Sequence, residues 1–267
     1  MNMLGKNIRM ERIIDRNSGR TVIVPMDHGL TVGPIKGIEN MKDMVDAMAQ
    51  GGAKAVLGHL GLPLHGHRKA GQDVGLILHL SGSTVWAPDP NAKVLVNTVE
   101  HALKMGADAV SVHINIGAEN ESEMLRDLGA VSVACLEWGM PLLAMMYTRG
   151  KKILDETAPE AVKHAARIAA ELGADIVKVT YTGKTESFKD VVDGCPVPVV
   201  IAGGEKAENE KEVFQNIKGC LDAGGSGVCI GRNAFGHDRP ASMVRAICAM
   251  VNDNISVDEA LTLLKED

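Results

Sequence analysis

Lys178 interrupts the run Ile176-Val177-Lys178-Val179-Thr180, which is otherwise apolar and rich in β-branched residues. Charged side chains are almost never buried without partners. In a strand this lysine has two fates: it points into a core or toward a neighbouring layer. Inside, desolvation disfavours the charged form, lowers the pKa and frees an amine that can attack a carbonyl. Outside, the side chain snorkels to water. Tyr147 ends a second apolar run, Leu142 to Met146, where a phenol can donate a proton or simply stand in water. Asp27 ends a third, Val22-Ile23-Val24-Pro25-Met26. A carboxylate there serves as a general base, as the counter-charge of a lysine, or as a turn or helix-capping residue.

Two glycine turns add a binding function. Ile201-Ala202-Gly203-Gly204-Glu205 and Cys229-Ile230-Gly231-Arg232-Asn233 each close an apolar run. Glycine lets backbone N–H groups approach an anion, and Arg232 can add a charge-assisted contact. Glycine also ends strands for steric reasons, so the two turns carry weight as a pair. His59, His65, His67 and His79 invite a metal reading, but no HExxH or carboxylate at ligand spacing accompanies them. Solvated or hydrogen-bonded loop histidines are the plainer reading. Gly183-Lys184-Thr185 looks like the end of a phosphate-binding P-loop, yet Lys178 stands where that motif needs its first glycine. Lys151-Lys152 and Glu208–Glu212 read as solvated faces, and the 14 methionines as core filler.

Something must hold these residues in place. Four phrases recur, opening at Gly52, Gly106, Gly173 and Gly224, and each joins a helical pattern to an apolar run. Filling in the units between them gives eight strands: Thr21–Met26, Lys54–Gly58, Gly75–His79, Ala109–Asn115, Pro141–Tyr147, Asp175–Tyr181, Pro198–Gly203 and Gly227–Gly231. The stretch from Gly58 to Gly82 is the least regular of these. Helices are expected at Ile38–Gln50, Asn91–Met105, Ser122–Trp138, Pro159–Leu172 and Asn209–Ala223, then Pro240–Val251 and Val257–Lys265. No polar linker divides the chain. The expectation is one α/β domain over 1–267, a (β/α)8 TIM barrel with short extra helices at both ends. A doubly wound sheet would instead carry a glycine-rich turn after the first strand, where Met26-Asp27-His28-Gly29 stands. In a barrel the strand ends gather Asp27, His59, His79, His113, Asn115, Tyr147 and Lys178, and the turns after strands seven and eight form the recurring phosphate site.

Composition sets the outer bounds. The chain has 267 residues, 45% apolar and 23% charged, with a net charge of −6 and two Trp, two Tyr and three Phe. That argues against nucleic-acid binding, which needs a basic face or a stacking platform, and against disorder. No stretch reads as a signal peptide or a membrane span. Five cysteines without a CxxC pair fit reduced thiols and a cytoplasmic location.

Nearly end to end, the chain resembles the class I aldolases of the DeoC/FbaB group. The resemblance is carried by Pro25-Met26-Asp27-His28-Gly29 with Gly33-Pro34-Ile35-Lys36-Gly37, by Met146-Tyr147-Thr148-Arg149-Gly150, by Asp175-Ile176-Val177-Lys178-Val179 and by Ile201-Ala202-Gly203-Gly204. It implies that Lys178 forms a Schiff base, that Tyr147 donates a proton and that Asp27 accepts one. It implies substrate contacts at Asp27, His28, Gly29, Leu30 and Thr31, at Tyr147, Thr148, Arg149 and Lys178, at Ala202, Gly203 and Gly204, and at Ile230, Gly231 and Arg232. No metal and no cofactor is implied, since the protonated imine is the electron sink. The implied partners are a phosphorylated sugar (6-deoxy-5-ketofructose 1-phosphate) and an amino-aldehyde (L-aspartate semialdehyde), with homo-oligomers as large as a decamer. The alternative within the group is a fructose-bisphosphate aldolase. Relatives of that kind tend to carry a His-Gly-Pro step where this chain reads Thr31-Val32-Gly33-Pro34, which favours the transaldolase.

Overall fold

The computed structural model describes residues 3–66, 71–207 and 209–266, so the readings at His67 and Glu208 lie outside the described residues. The four recurring phrases turn helices into strands. Gly52, Gly106, Gly173 and Gly224 take φ of 89°, 76°, 90° and 90°, a region that glycine enters without the Cβ penalty. The strands are β1 (Thr21–Pro25), β2 (Ala55–Gly58), β3 (Gly75–His79), β4 (Ala109–Ile116), β5 (Leu142–Thr148), β6 (Ile176–Val179), β7 (Val199–Ala202) and β8 (Gly227–Cys229). Each pairs in parallel with its chain neighbours, and β8 pairs with β1 to close the barrel. The TIM barrel expected from the spacing is therefore present, including a full β3 in the irregular stretch.

Strand alternation divides the core in two. Ile23, Ala55, Leu57, Ile77, Ala109, Leu143, Met145, Ile176, Val200 and Cys229 form an inner cluster. Their neighbours, such as Val22, Val56, Val177 and Val228, belong to the larger cluster shared with the helices. The floor comes from the helix Leu4–Ile13, whose Met10 and Ile13 join the inner cluster. Charge fixes that helix. Lys6 pairs with Asp175 at 2.8 Å and Arg12 with Asp108 at 2.6 Å. The same aspartates accept hydrogen bonds from the Leu142 and Leu76 amides, which ties the floor to the strands.

Some outer elements depart from expectation. The helix expected over Asn91–Met105 is shorter, Val99–Lys104, and Val94–Leu95 pairs antiparallel with Ser81–Gly82 instead. Val94-Leu95-Val96 suits extended backbone, and the Thr98 hydroxyl caps the helix by accepting from the His101 amide. A helix at Thr185–Asp193, unforeseen, buries Phe188 and Val191. The C-terminal helix Val257–Glu266 is present where expected and buries Ala260 and Leu264 against helices Glu210–Asp222 and Pro240–Asp253 of its own chain. No helix among the described residues is long and apolar enough to cross a membrane.

Candidate active site

Lys178 follows Ile176 on the inner face of β6 and is 5% exposed, which decides between its two fates. It lies in register with Met145 of β5 and Val200 of β7. Its Nζ is 4.0 Å from Met145 Sδ and 5.9 Å from the centroid of the Tyr147 ring. The Cys229 thiol of β8 and the Tyr147 hydroxyl are close enough to act on its charge. Burial alone pushes its pKa down, as the sequence suggests. Cys229, Tyr147 and Asp27 outweigh burial and hold the amine above the ordinary lysine range, which corrects the expectation of a lowered value. Burial pushes the Cys229 thiol up to about 11, so it is uncharged near neutrality. The Asp27 carboxylate keeps its charge there. Lys178 therefore rests as an ammonium and must release a proton before it can attack.

Asp27 precedes the short helix His28–Val32, yet its side chain makes no capping hydrogen bond. The carboxylate turns toward the barrel instead. Its oxygens lie 3.6 Å from His28 Nδ1 and 3.9 Å from His79 Nε2. Burial raises its pKa, but His79, His28, Lys178 and His59 together hold it well below the usual carboxylate range. His79 Nδ1 is 2.7 Å from the Ser111 hydroxyl, and its ring lies 5.1 Å from that of His59. Burial pushes the His79 pKa down to about 3, and lowers His28, His59 and His113 as well. The histidines around Asp27 are thus uncharged near neutrality.

Tyr147 shares the inner face of β5 with Leu143 and Met145. The His113 ring lies 4.8 Å from the Tyr147 ring and the Arg149 guanidinium carbon 4.6 Å from its centroid. His113 Nε2 meets Asn115 Oδ1 at 2.9 Å, and the Asn115 amide donates to the Asn91 carbonyl. The phenol is therefore held by packing on both its strand and its neighbour.

The glycine turns meet on the other side of the mouth. Arg232 donates to the Gly204 carbonyl at 3.0 Å, and Asn233 donates to the Gly203 and Glu205 carbonyls. Gly231 opens the short helix Arg232–Phe235. A Cβ at Gly231 would fall 2.6 Å from the Pro25 carbonyl oxygen and 2.8 Å from His28 Cε1, so only glycine fits beside the first-strand turn. A cavity of about 410 Å³ lies along Ala202, Gly203 and Gly204 and continues toward Lys206.

Not every expected contact faces this cavity. Thr148 is buried and donates to the Glu156 carbonyl, pinning the loop after β5. Ile230, by contrast, packs beneath Gly203 and lines the cavity with Ala202, Gly203 and Gly204. Leu30 lies over Gly82, and the Thr31 carbonyl accepts from the Val85 amide. Gly29 sits within that same short helix. Cys229, Ser111 and Lys93 were not foreseen. Cys229 could have been found by alternation, two positions before Gly231. Lys93 gives no sequence signal, because its place depends on the unforeseen hairpin.

An amine buried among proton-carrying groups at the carboxyl end of a closed parallel barrel is the arrangement of an enzyme that works on carbonyl carbon. The DeoC/LacD family aldolase pattern matches residues 21–237, and the chain belongs to that family. It is 46% identical to 2-amino-3,7-dideoxy-D-threo-hept-6-ulosonate synthase 1 of Archaeoglobus fulgidus, over 97% of this chain and 95% of that one. It is 39% identical to 2-amino-4,5-dihydroxy-6-oxo-7-(phosphonooxy)heptanoate synthase of Streptomyces griseus, over 93% and 91%. A solved archaeal fructose-1,6-bisphosphate aldolase, its catalytic lysine bound covalently to the carbinolamine intermediate of the substrate, superposes with a TM-score of 0.83. It is 32% identical, with 92% of this chain and 99% of that one covered.

Proposed function

We propose that the protein is a Schiff-base transaldolase that joins L-aspartate semialdehyde to a three-carbon unit taken from 6-deoxy-5-ketofructose 1-phosphate, giving 2-amino-3,7-dideoxy-D-threo-hept-6-ulosonate. The observation that carries this reading is the inward Lys178 amine with Tyr147 and Asp27 beside it. The names of both synthases describe seven-carbon 2-amino-6-oxo acids. Such a product divides by retro-aldol chemistry between C4 and C5, into a four-carbon amino-acid aldehyde and a three-carbon ketone.

Lys178 loses its proton and attacks the C5 ketone. Tyr147 relays to the carbonyl oxygen the proton given up by the ammonium and one from the attacking nitrogen, so the oxygen leaves as water, an iminium forms and the phenol is restored. The C3–C4 bond then breaks. Its electron pair moves into the iminium to give an enamine, and the C3 hydroxyl proton passes to Asp27. C3 leaves as the aldehyde of a three-carbon phosphate. The enamine carbon attacks the aldehyde of L-aspartate semialdehyde, whose oxygen takes a proton from Asp27. Water hydrolyses the new iminium and frees Lys178. Asp27 faces a positive nitrogen through most of this sequence, which suits a carboxyl held in its ionised form. The Gly203-Gly204 and Gly231-Arg232 turns hold the phosphate and fix the register of the chain.

A fructose-bisphosphate aldolase is the second reading, favoured by the structural likeness to the archaeal enzyme. Incubation of the diulose phosphate with L-aspartate semialdehyde is expected to yield the seven-carbon amino acid. Faster cleavage of fructose 1,6-bisphosphate than of the diulose would favour the second reading. A homo-oligomer in the cytoplasm completes the proposal. Leu4, Ile8, Val133, Leu136 and Trp138 are exposed apolar residues that an interface could cover. A monomer in sedimentation would exclude it.

A further inference from the structure

The mouth of the barrel carries a second charged basin, on the side away from the glycine turns. A cavity of about 530 Å³ is lined by Asp89, Asn91, Glu119, Arg149, Lys151 and Glu156, among others. Its charge is mixed. Arg149 pairs with Glu156 at 3.1 Å, and Lys151 with Glu119. Beside it stands Lys93, half-buried, whose ammonium donates to the Ser83 hydroxyl at 2.5 Å. No carboxylate among the described residues pairs directly with Lys93, although Asp89, Asp27 and Arg149 are all close enough to act on its charge. A half-buried ammonium that donates to a neutral hydroxyl keeps further donors for an incoming anion.

We propose that Lys93, Arg149 and Asp89 form the acceptor subsite, Lys93 and Arg149 taking the α-carboxylate and Asp89 the α-ammonium of a zwitterionic amino-acid aldehyde. This rests on the transaldolase reading above and names how it selects its second substrate.

Distance allows it. Lys178 Nζ and Arg149 Cζ lie 5.9 Å and 4.6 Å from the same Tyr147 ring centroid, so they are no farther apart than the sum of those distances. A four-carbon acid aldehyde joined to the enamine carbon places its carboxylate roughly 7–8 Å from Nζ at ordinary bond lengths. Charge selects the class of ligand. A second phosphate in this basin would meet Asp89, Glu119 and Glu156, whereas a zwitterion meets a partner for each of its charges. The two poles of the site then differ: backbone amides and Arg232 suit a phosphate, and the mixed basin suits an amino acid. The hairpin Ser81–Gly82/Val94–Leu95 makes this possible, because it carries Ser83 and Lys93 back over the mouth.

Steady-state rates with three acceptors test it: L-aspartate semialdehyde, succinate semialdehyde, which lacks the ammonium, and 3-aminopropanal, which lacks the carboxylate. The wild-type protein is expected to prefer the complete acceptor by roughly 10- to 100-fold in kcat/KM over each truncated one. Lys93→Met should erase the preference over 3-aminopropanal, mainly through KM, and Lys93→Arg should restore part of it. Asp89→Asn should erase the preference over succinate semialdehyde, and tests the subsite independently if Lys93→Met does not fold. A wild-type protein that forms no product with any of the three would overturn the transaldolase reading itself. Turnover without discrimination, or discrimination unchanged in both variants, would overturn the subsite alone.

Discussion

Asp27 and Lys178 stabilise each other in their charged forms, and this pairing has a kinetic consequence. Asp27 is one of the groups that raise the Lys178 pKa. Asp27→Asn removes it, so the lysine pKa falls and the alkaline rise in Schiff-base formation should move to lower pH. The same variant loses the proton acceptor, and its kcat should drop by about 10²–10⁴-fold. A pH–rate profile separates the two effects. An unmoved profile with only a lower plateau would show that Asp27 does not govern the lysine. His79 makes a different prediction. Its folded pKa is about 3, while an unfolded histidine titrates near 6.5. Between those values the unfolded chain binds the extra proton, so stability rises with pH across this window and falls as pH drops through it. Asp27 acts in the same direction at lower pH, because its depressed carboxyl contributes stability above the unfolded value that is lost on acidification. Melting temperature should decline between pH 7 and pH 4, and less steeply in His79→Gln. An equal decline in both would assign the loss to other groups.

At the scale of elements, the floor and the glycine turn do separate jobs. Ile13 is fully buried in the floor of the barrel, at the opposite end of the strands from the catalytic groups. Ile13→Ala should cost about 2–5 kcal/mol of stability while leaving the rate per folded molecule unchanged. Denaturant unfolding alongside active-site titration would check this, and a changed rate at full occupancy would link the floor to the chemistry. Gly231→Ala forces a methyl against the Pro25 carbonyl and His28. It should raise the KM of the phosphorylated donor and cost roughly 1–3 kcal/mol of stability from overpacking. The contrast between these elements also explains what could be read from sequence. Strands such as Ile176–Val179 were legible because alternation and a glycine-bounded run are local signals. The floor helix was foreseen only as a short extra helix, since its docking depends on ion pairs to Asp108 and Asp175 far along the chain. The hairpin that carries Lys93 was hidden because Asn91–Met105 also fits a helical pattern, and only pairing with Ser81–Gly82 decides against it.

For the whole molecule, the closed barrel gathers on one rim groups separated by most of the chain, from Asp27 to Arg232. It also reconciles a net charge of −6 with an anionic substrate, because the positive field is local to backbone amides, Arg232, Lys93 and Lys178. The scarcity of aromatic residues follows from the same architecture. A core of small and branched side chains fills the barrel, and one of the two tyrosines stands at the site, at the edge of that core. The sequence left open whether Lys178 faced the barrel or the helices, and closure of the sheet decided it. Everything catalytic in this account depends on that one amine. Borohydride reduction in the presence of the diulose phosphate, followed by peptide mass mapping, tests it directly. The account predicts a stable adduct on the peptide carrying Lys178 and none in Lys178→Met. An adduct elsewhere, no adduct under turnover, or full activity in Lys178→Met would contradict it.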